Sequence, residues 1–292
     1  MSSRKLRGLV CAALAALALA GCAKPAEVRP ALWLVEGPGG QQAWLFGTIH
    51  ALPRPVEWKS AKVAAALGQS DRLLLEVANI EDDAATAKAF AALAQSPGLP
   101  PLDQRVPPDQ HDELDAALKA DHFEPGALDP YETWAAALML QNAAMAAGDS
   151  NAANGIDRAL VRGYGKPVEE FEGAAAQLAI FDRLPEPAQR ALLEAAIARP
   201  GEDLASLRKL EQAWAHGDLA TVDAETTADF RNNPELRQAL LTRRNDAWLA
   251  RLVGELEQGA HPFVAVGLAH LAGQDGLAAL LTRRGYRVTR LQ

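Results

Sequence analysis

The sequence predicts an α/β (α+β) fold with a mainly parallel central sheet flanked by helices and a large helical insertion. The first observation is a pair of matching tetrapeptides, Gly47-Thr48-Ile49-His50 and Gly267-Leu268-Ala269-His270, near opposite ends of the chain. Each follows a short apolar run, residues 43–46 and 263–266, bounded by Gly or Pro, which reads as a buried strand entering a tight turn. The second is Leu73-Leu74-Leu75-Glu76-Val77, a further apolar run with an acid inside it. The third is the long alanine-rich middle, helical in pattern, between strands that cluster near the two ends.

Taken in order, residues 31–35 and 42–46 flank Gly37-Pro38-Gly39-Gly40 and form a β-hairpin. A helix over residues 60–68 follows, because Ser60 can cap it while Val63, Ala66 and Leu67 recur at helical spacing. Residues 73–77 are the next strand. Residues 82–147 are helical, with breaks at the proline-containing stretches 96–108 and 125–130, and residues 131–145 are the strongest helix there. Its Trp134, Leu138 and Met139 belong to a core, and His111 and His122 lie in polar, solvated surroundings. Another helix begins near Asn154-Gly155-Ile156-Asp157, where helix capping suffices to explain the aspartate. Residues 168–172 make a strand with Val168, Glu170 and Glu172 on one face, and a helix over 174–181 follows. Further helices are expected over 186–198, 204–216 and 235–258, the last capped by Asn233-Pro234, before a closing strand at 285–290.

The N-terminus carries Arg4, Lys5 and Arg7, then an apolar stretch from Leu9 to Ala20, then Gly21-Cys22. A basic segment followed by a short apolar one is an export signal, too short to span a bilayer. Leu19-Ala20-Gly21-Cys22 resembles the lipobox of bacterial lipoproteins, in which the cysteine is acylated. The expected organisation is therefore a signal peptide over 1–21, a tether over 22–30 and a single domain over 31–292. Neither Ala23 nor Lys24 is the aspartate that retains lipoproteins at the inner membrane, so the periplasmic face of the outer membrane is the expected location. With Cys11 lost alongside the signal, the mature chain has no partner for Cys22, and the 49% hydrophobic composition must hold the fold through its core. Loss of residues 1–21 removes three positive charges and takes the formal net charge from -8 to -11. Such an acidic chain without basic runs excludes nucleic acid as a main partner and leaves the N-terminal lipid as the only membrane contact. Peptides or other small envelope molecules remain as substrates.

His50, His270, Glu76 and Glu172 each fall at an inferred strand end, where open α/β sheets build their crevices. Glu76 among leucines needs a compensating charge, a hydrogen bond or a metal. In this order, Phe46-Gly47-Thr48-Ile49-His50, Leu75-Glu76-Val77, Gly165-Lys166-Pro167-Val168 leading to Glu172, Arg244-Asn245-x-x-Trp248 and Val266-Gly267-x-x-His270-Leu271 resemble the TraB/GumN family, related to the TIKI proteases and similar to the EreA/ChaN-like fold. The resemblance implies an active site of two Gly-x-x-His histidines, a glutamate and an arginine, here His50, His270, Glu76 and Arg244. Many members have Leu-Glu-Thr where this chain has Phe171-Glu172-Gly173, which keeps the carboxylate but removes a hydroxyl.

Two imidazoles with carboxylates suit a divalent transition metal such as Mn, Co, Fe or Zn. On that reading His50, Glu76 and His270 are ligands, Glu172 is a general base or further ligand, and Arg244 stabilises an oxyanion in a metal-dependent, peptidase-like hydrolase. Three alternatives stand beside it: metal-free hydrolysis with His50 as base, a non-enzymatic haem- or iron-binding lipoprotein, and a peptide-sequestering protein.

Overall fold

The computed structural model describes residues 27–147, 150–198 and 200–292. The expected signal peptide, Cys22 and the start of the tether lie outside the described residues. Among those described, no helix is long and apolar enough to cross a membrane.

Six strands form one sheet in the order β4-β3-β5-β2-β1-β6. They are β1 (Leu32–Glu36), β2 (Gln42–Thr48), β3 (Arg72–Leu75), β4 (Val168–Glu170), β5 (Pro262–Gly267) and β6 (Arg287–Arg290). The four-strand block β4-β3-β5-β2 is parallel, whereas β1 joins β2 and β6 by antiparallel pairing. Every inner residue of β2 and β5 from Ala43 to Phe46 and from Phe263 to Val266 is buried, as expected of strands covered on both faces. The expected mainly parallel sheet with a helical insertion is therefore present, the helices entering chiefly between β3 and β5.

Local chemistry sets the element boundaries. Ser60 caps the helix Ala61–Gln69 by accepting from the Val63 N–H, with Val63, Ala66 and Leu67 turned inward. The proline breaks are tied down by Arg105, which is fully buried and donates to the carbonyls of Pro100 and Asp129 at 2.8 and 2.6 Å. The helix Thr133–Ala147 buries Trp134 between Phe90 and Phe181, in a satellite core beneath the insertion.

Three expectations change. The strand expected over 168–172 stops at Glu170, because Gly173 takes φ 83° and turns the chain into the helix Ala174–Asp182. The helix Leu219–Asp229, capped by Asp218, occupies a stretch for which no element was expected. The single helix expected over 235–258 is instead Pro234–Arg237, a π-helical turn Gln238–Thr242 and the helix Arg243–Glu257. Asn233 occupies the cap position there, but its side chain makes no capping bond; Pro234 at the first helical position fixes the start.

Candidate active site

Parallel pairing sets Gly47 opposite Val266 and Thr48 opposite Gly267, so the two Gly-x-x-His turns leave the sheet side by side. Glu76 follows the last residue of β3, the neighbour of β5, and the Gly267 N–H donates to its Oε1 at 2.8 Å. A Cβ on Gly267 would lie 3.3 Å from Glu76 Oε1, 3.7 Å from His50 Nε2 and 3.8 Å from His270 Cδ2. The glycine thus keeps open the point on which the two histidines and the glutamate converge. Gly47 serves another purpose, since a Cβ there would meet Leu268 Cδ1 at 2.3 Å.

Arg244 is the hub beneath that point. Its Nε donates to both oxygens of Glu172 at 3.0 and 3.1 Å, and Nη2 donates to Glu76 Oε2 at 2.6 Å and Glu172 Oε2 at 2.9 Å. Its Nη1 donates to the Leu240 carbonyl at 3.1 Å and to His270 Nε2 at 3.0 Å. A guanidinium has five N–H donors, and all of them are engaged within the protein. The π-helical turn supplies the Leu240 carbonyl. Trp248, one turn beyond Arg244, donates to Glu172 Oε1 at 3.0 Å and lies between the Phe171 and His270 rings, 5.0 and 4.4 Å away.

The protonation of His270 follows from its partners. The Asn245 amide donates through Nδ2 to the Asp275 carbonyl at 2.8 Å, which leaves Oδ1 facing His270 Nδ1 at 2.7 Å. An oxygen can only accept, so Nδ1 carries the proton and Nε2 presents its lone pair to Arg244. Burial pushes this ring down to about 4, consistent with a neutral imidazole. For Glu76, burial acts upward, but His270, His50, Arg244 and the Gly267 N–H outweigh it and hold the carboxyl at about 2.

His50 is different. Its ring is 60% exposed, and its Nδ1 lies 2.8 Å from Oδ2 of the buried Asp157. The Asp157 carboxylate is the main cause that raises the ring to about 9, and solvent at the exposed edge screens part of that attraction. The helix Ile156–Gly163 starts against the His50 turn: the Ile156 N–H donates to the Ile49 carbonyl at 3.0 Å. A Cβ on Gly155 would fall 2.2 Å from the His50 carbonyl oxygen, so only glycine allows this approach. Among the described residues, His50 Nε2 is the one histidine nitrogen of the cluster with no hydrogen-bond partner.

A metal shared by His50, Glu76 and His270 needs lone pairs that are directed at it. Here His270 Nε2 and Glu76 Oε2 accept from Arg244, and Glu76 Oε1 accepts from Gly267. As arranged, the one lone pair of His270 Nε2 is taken by Arg244, while Glu76 Oε1 keeps a lone pair beyond its bond to Gly267; among the described residues no group of three His, Cys, Asp or Glu side chains is placed to hold an ion. Arg244 would have to withdraw first.

The fold thus brings His50, Glu76, Glu172, Arg244 and His270 to one edge of the sheet. Sequence reasoning missed Asp157, Asn245 and Gln177, whose Nε2 donates to Glu76 Oε2 at 3.2 Å. A signal for Asp157 exists: it shares a helical face with the buried Leu160, so the acid stands on an apolar stripe.

The fold and site define a class: α/β proteins whose strand-end histidines stand over a buried Glu-Arg-Glu cluster. A model described as the TraB/PrgY/gumN family matches residues 31–290, and the chain belongs to that family. It is similar to a protein titled "Uncharacterized protein YbaP" from Shigella flexneri, at 26% identity over 247 residues, covering 84% of this chain and 89% of the relative. The protein of the same title from Escherichia coli (strain K12) matches over 247 residues at 26% identity, with the same coverage. No solved structure matches the chain.

Proposed function

We propose that the chain is a peptidase-like hydrolase acting on peptides or other small acyl compounds in the bacterial envelope, with His50 as its acid–base group. The observation that carries this reading is the His50–Asp157 pair, with Nδ1 held at 2.8 Å and Nε2 open beside Glu76 Oε1 and Gly267. His50 acts as base only in its deprotonated fraction, which grows as pH rises toward its pKa of about 9; in that form the imidazole, oriented by the buried Asp157, takes a proton from water while the water oxygen forms a bond to the acyl carbon. The same Nε2–H then protonates the leaving group as its bond to carbon breaks. Glu76, fixed by Arg244, Gly267 and Gln177, would hold the water at the open point. Glu172 and His270 hold Arg244, and oxyanion stabilisation by Arg244 would require one of its present bonds to break.

The test is turnover of an ester and peptide library by purified protein after exhaustive chelation. Under this reading wild type turns over, His50→Gln is inactive and Asp157→Asn is slowed by about 10²-fold or more. Turnover that survives His50→Gln overturns it.

A second reading is a metal-dependent hydrolase, favoured by the convergence of His50 Nε2, Glu76 Oε1 and His270 Cδ2 within 4 Å of one point. Activity restored to chelated protein only by Mn, Co, Fe or Zn, with stoichiometric metal in the active sample, would select it. Anchoring through lipidated Cys22 belongs to the same proposal and rests on Leu19-Ala20-Gly21-Cys22.

A further inference from the structure

Beside Glu172 and Arg244 lies an open cavity of about 410 Å³. Its walls are apolar where Ile180, Leu184, Pro185, Ala239 and Ala247 meet, and its charged lining consists of Glu172, Arg183, Glu235, Arg243 and Arg244. Glu172 and Arg244 are bonded to each other, which leaves Arg183 and Arg243 against Glu235. Arg183 donates through Nε to the Ala179 carbonyl at 2.9 Å, and Arg243 donates through Nη2 to Gln238 Oε1 at 2.9 Å. Neither pairs with a carboxylate among the described residues, so both guanidinium groups retain N–H donors at a pocket whose lining mixes charged groups with apolar walls. The π-helical turn Gln238–Thr242 forms one wall and also supplies the carbonyl that holds Arg244, so the pocket and the charged cluster share a structural element. Widened helical turns of this kind recur at ligand sites.

We infer that this cavity is a substrate subsite for an apolar side chain followed by a free carboxylate, as at the C-terminus of a peptide. The apolar walls take the side chain, and Arg183 and Arg243 take the carboxylate, a geometry that guanidinium groups match in forked pairs. Glu235 opposes the anion and weakens the site. The inference rests on the hydrolase reading for the word substrate, but the binding it describes does not require turnover.

Titration calorimetry on the full chain with N-acetyl-leucyl-leucine, its C-terminal amide and inorganic phosphate tests it. The free acid should bind about tenfold or more tightly than the amide, by the strength of a charge-assisted hydrogen bond. Phosphate alone should bind weakly, Arg183→Gln/Arg243→Gln should erase the preference for the acid, and Glu235→Gln should tighten it. Both arginines are exposed, so the double variant should fold, which its circular dichroism and melting curve check. Equal binding of acid and amide, a preference that survives the double substitution, or phosphate binding as tightly as the acid would each overturn the subsite. Binding of the expected kind without turnover of any substrate would sink the hydrolase reading while leaving the site in place.

Discussion

At the scale of single residues, one substitution in the two Gly-x-x-His motifs should have two outcomes. In Gly267→Ala the new methyl enters the point between Glu76, His50 and His270, with its tightest contact at 3.3 Å. Turnover should fall sharply while the melting temperature barely moves. In Gly47→Ala the methyl meets the buried Leu268 at 2.3 Å, and the cost should be about 1–3 kcal/mol of stability. Denaturant unfolding and activity assays on the two variants compare the outcomes. Arg244 is a second case. The sequence assigns it the chemical role of stabilising an oxyanion, but its donors are engaged in a buried network that also bears on stability. Arg244→Ala strands Glu76 and Glu172, whose side chains are 7% and 14% exposed, and should destabilise by about 3–5 kcal/mol. A melting temperature equal to wild type would show that the buried network is not holding the fold.

The histidines also predict a pH dependence. His270 refuses a proton until about 4, whereas the unfolded ring accepts one near 6.5. Below 6.5 the unfolded state therefore binds more protons, and stability falls as pH drops toward 4. His50 has the opposite sign: its folded pKa is raised to about 9, so its contribution is complete below 6.5 and is lost as pH rises through about 9. Unfolding free energies measured from pH 4 to 9 should fall on both sides. His270→Gln should flatten the acid side, because an amide keeps a donor and an acceptor without a titrating proton. An unchanged acid limb would mean that His270 is not held neutral.

At the scale of elements, the helical insertion has cores of its own, and Trp134 is the centre of the smaller one. Trp134→Ala should cost about 3–5 kcal/mol, since the ring is fully buried against Phe90 and Phe181. Trp134→Phe should cost less, because among the described residues the indole N–H has no partner to lose. Chemical denaturation of both variants measures this order. Strands were the more legible elements: residues 43–46, 73–75 and 263–266 are continuous apolar runs, and only strands buried on both faces need them. The π-helical turn was not legible. Its Leu240 carbonyl accepts from Arg244, whose other partners come from β3, the Gly173 turn and the 3-10 turn after β5, and that meeting exists only in the assembled fold.

At the scale of the whole molecule, the acidic chain carries its charged cluster at one edge of the sheet, and the end of the expected tether is packed onto the domain, with Val28 buried and the Arg29 N–H donating to the Ala215 carbonyl at 2.7 Å. Intact-mass analysis of protein from the membrane fraction should find a diacylglyceryl-modified chain beginning at Cys22, and Cys22→Ala should be released or remain unprocessed. Cleavage elsewhere with no acyl mass would refute the anchor.

By itself the sequence determined the sheet strands, the two histidine turns and the need of Glu76 for a compensating charge, because apolar runs, glycine turns and a buried acid are local facts. It also singled out Glu172 and Arg244, through the order of motifs along the chain. Only the tertiary structure decided that Arg244 spends all its donors inside the protein, that Asn245 sets the tautomer of His270, and that Asp157 holds His50. Apart from the Arg244–Leu240 bond, those assignments depend on hydrogen bonds between residues 25 to 168 positions apart. Local pattern cannot report them, because a donor's partner is chosen by packing in space and not by spacing along the chain.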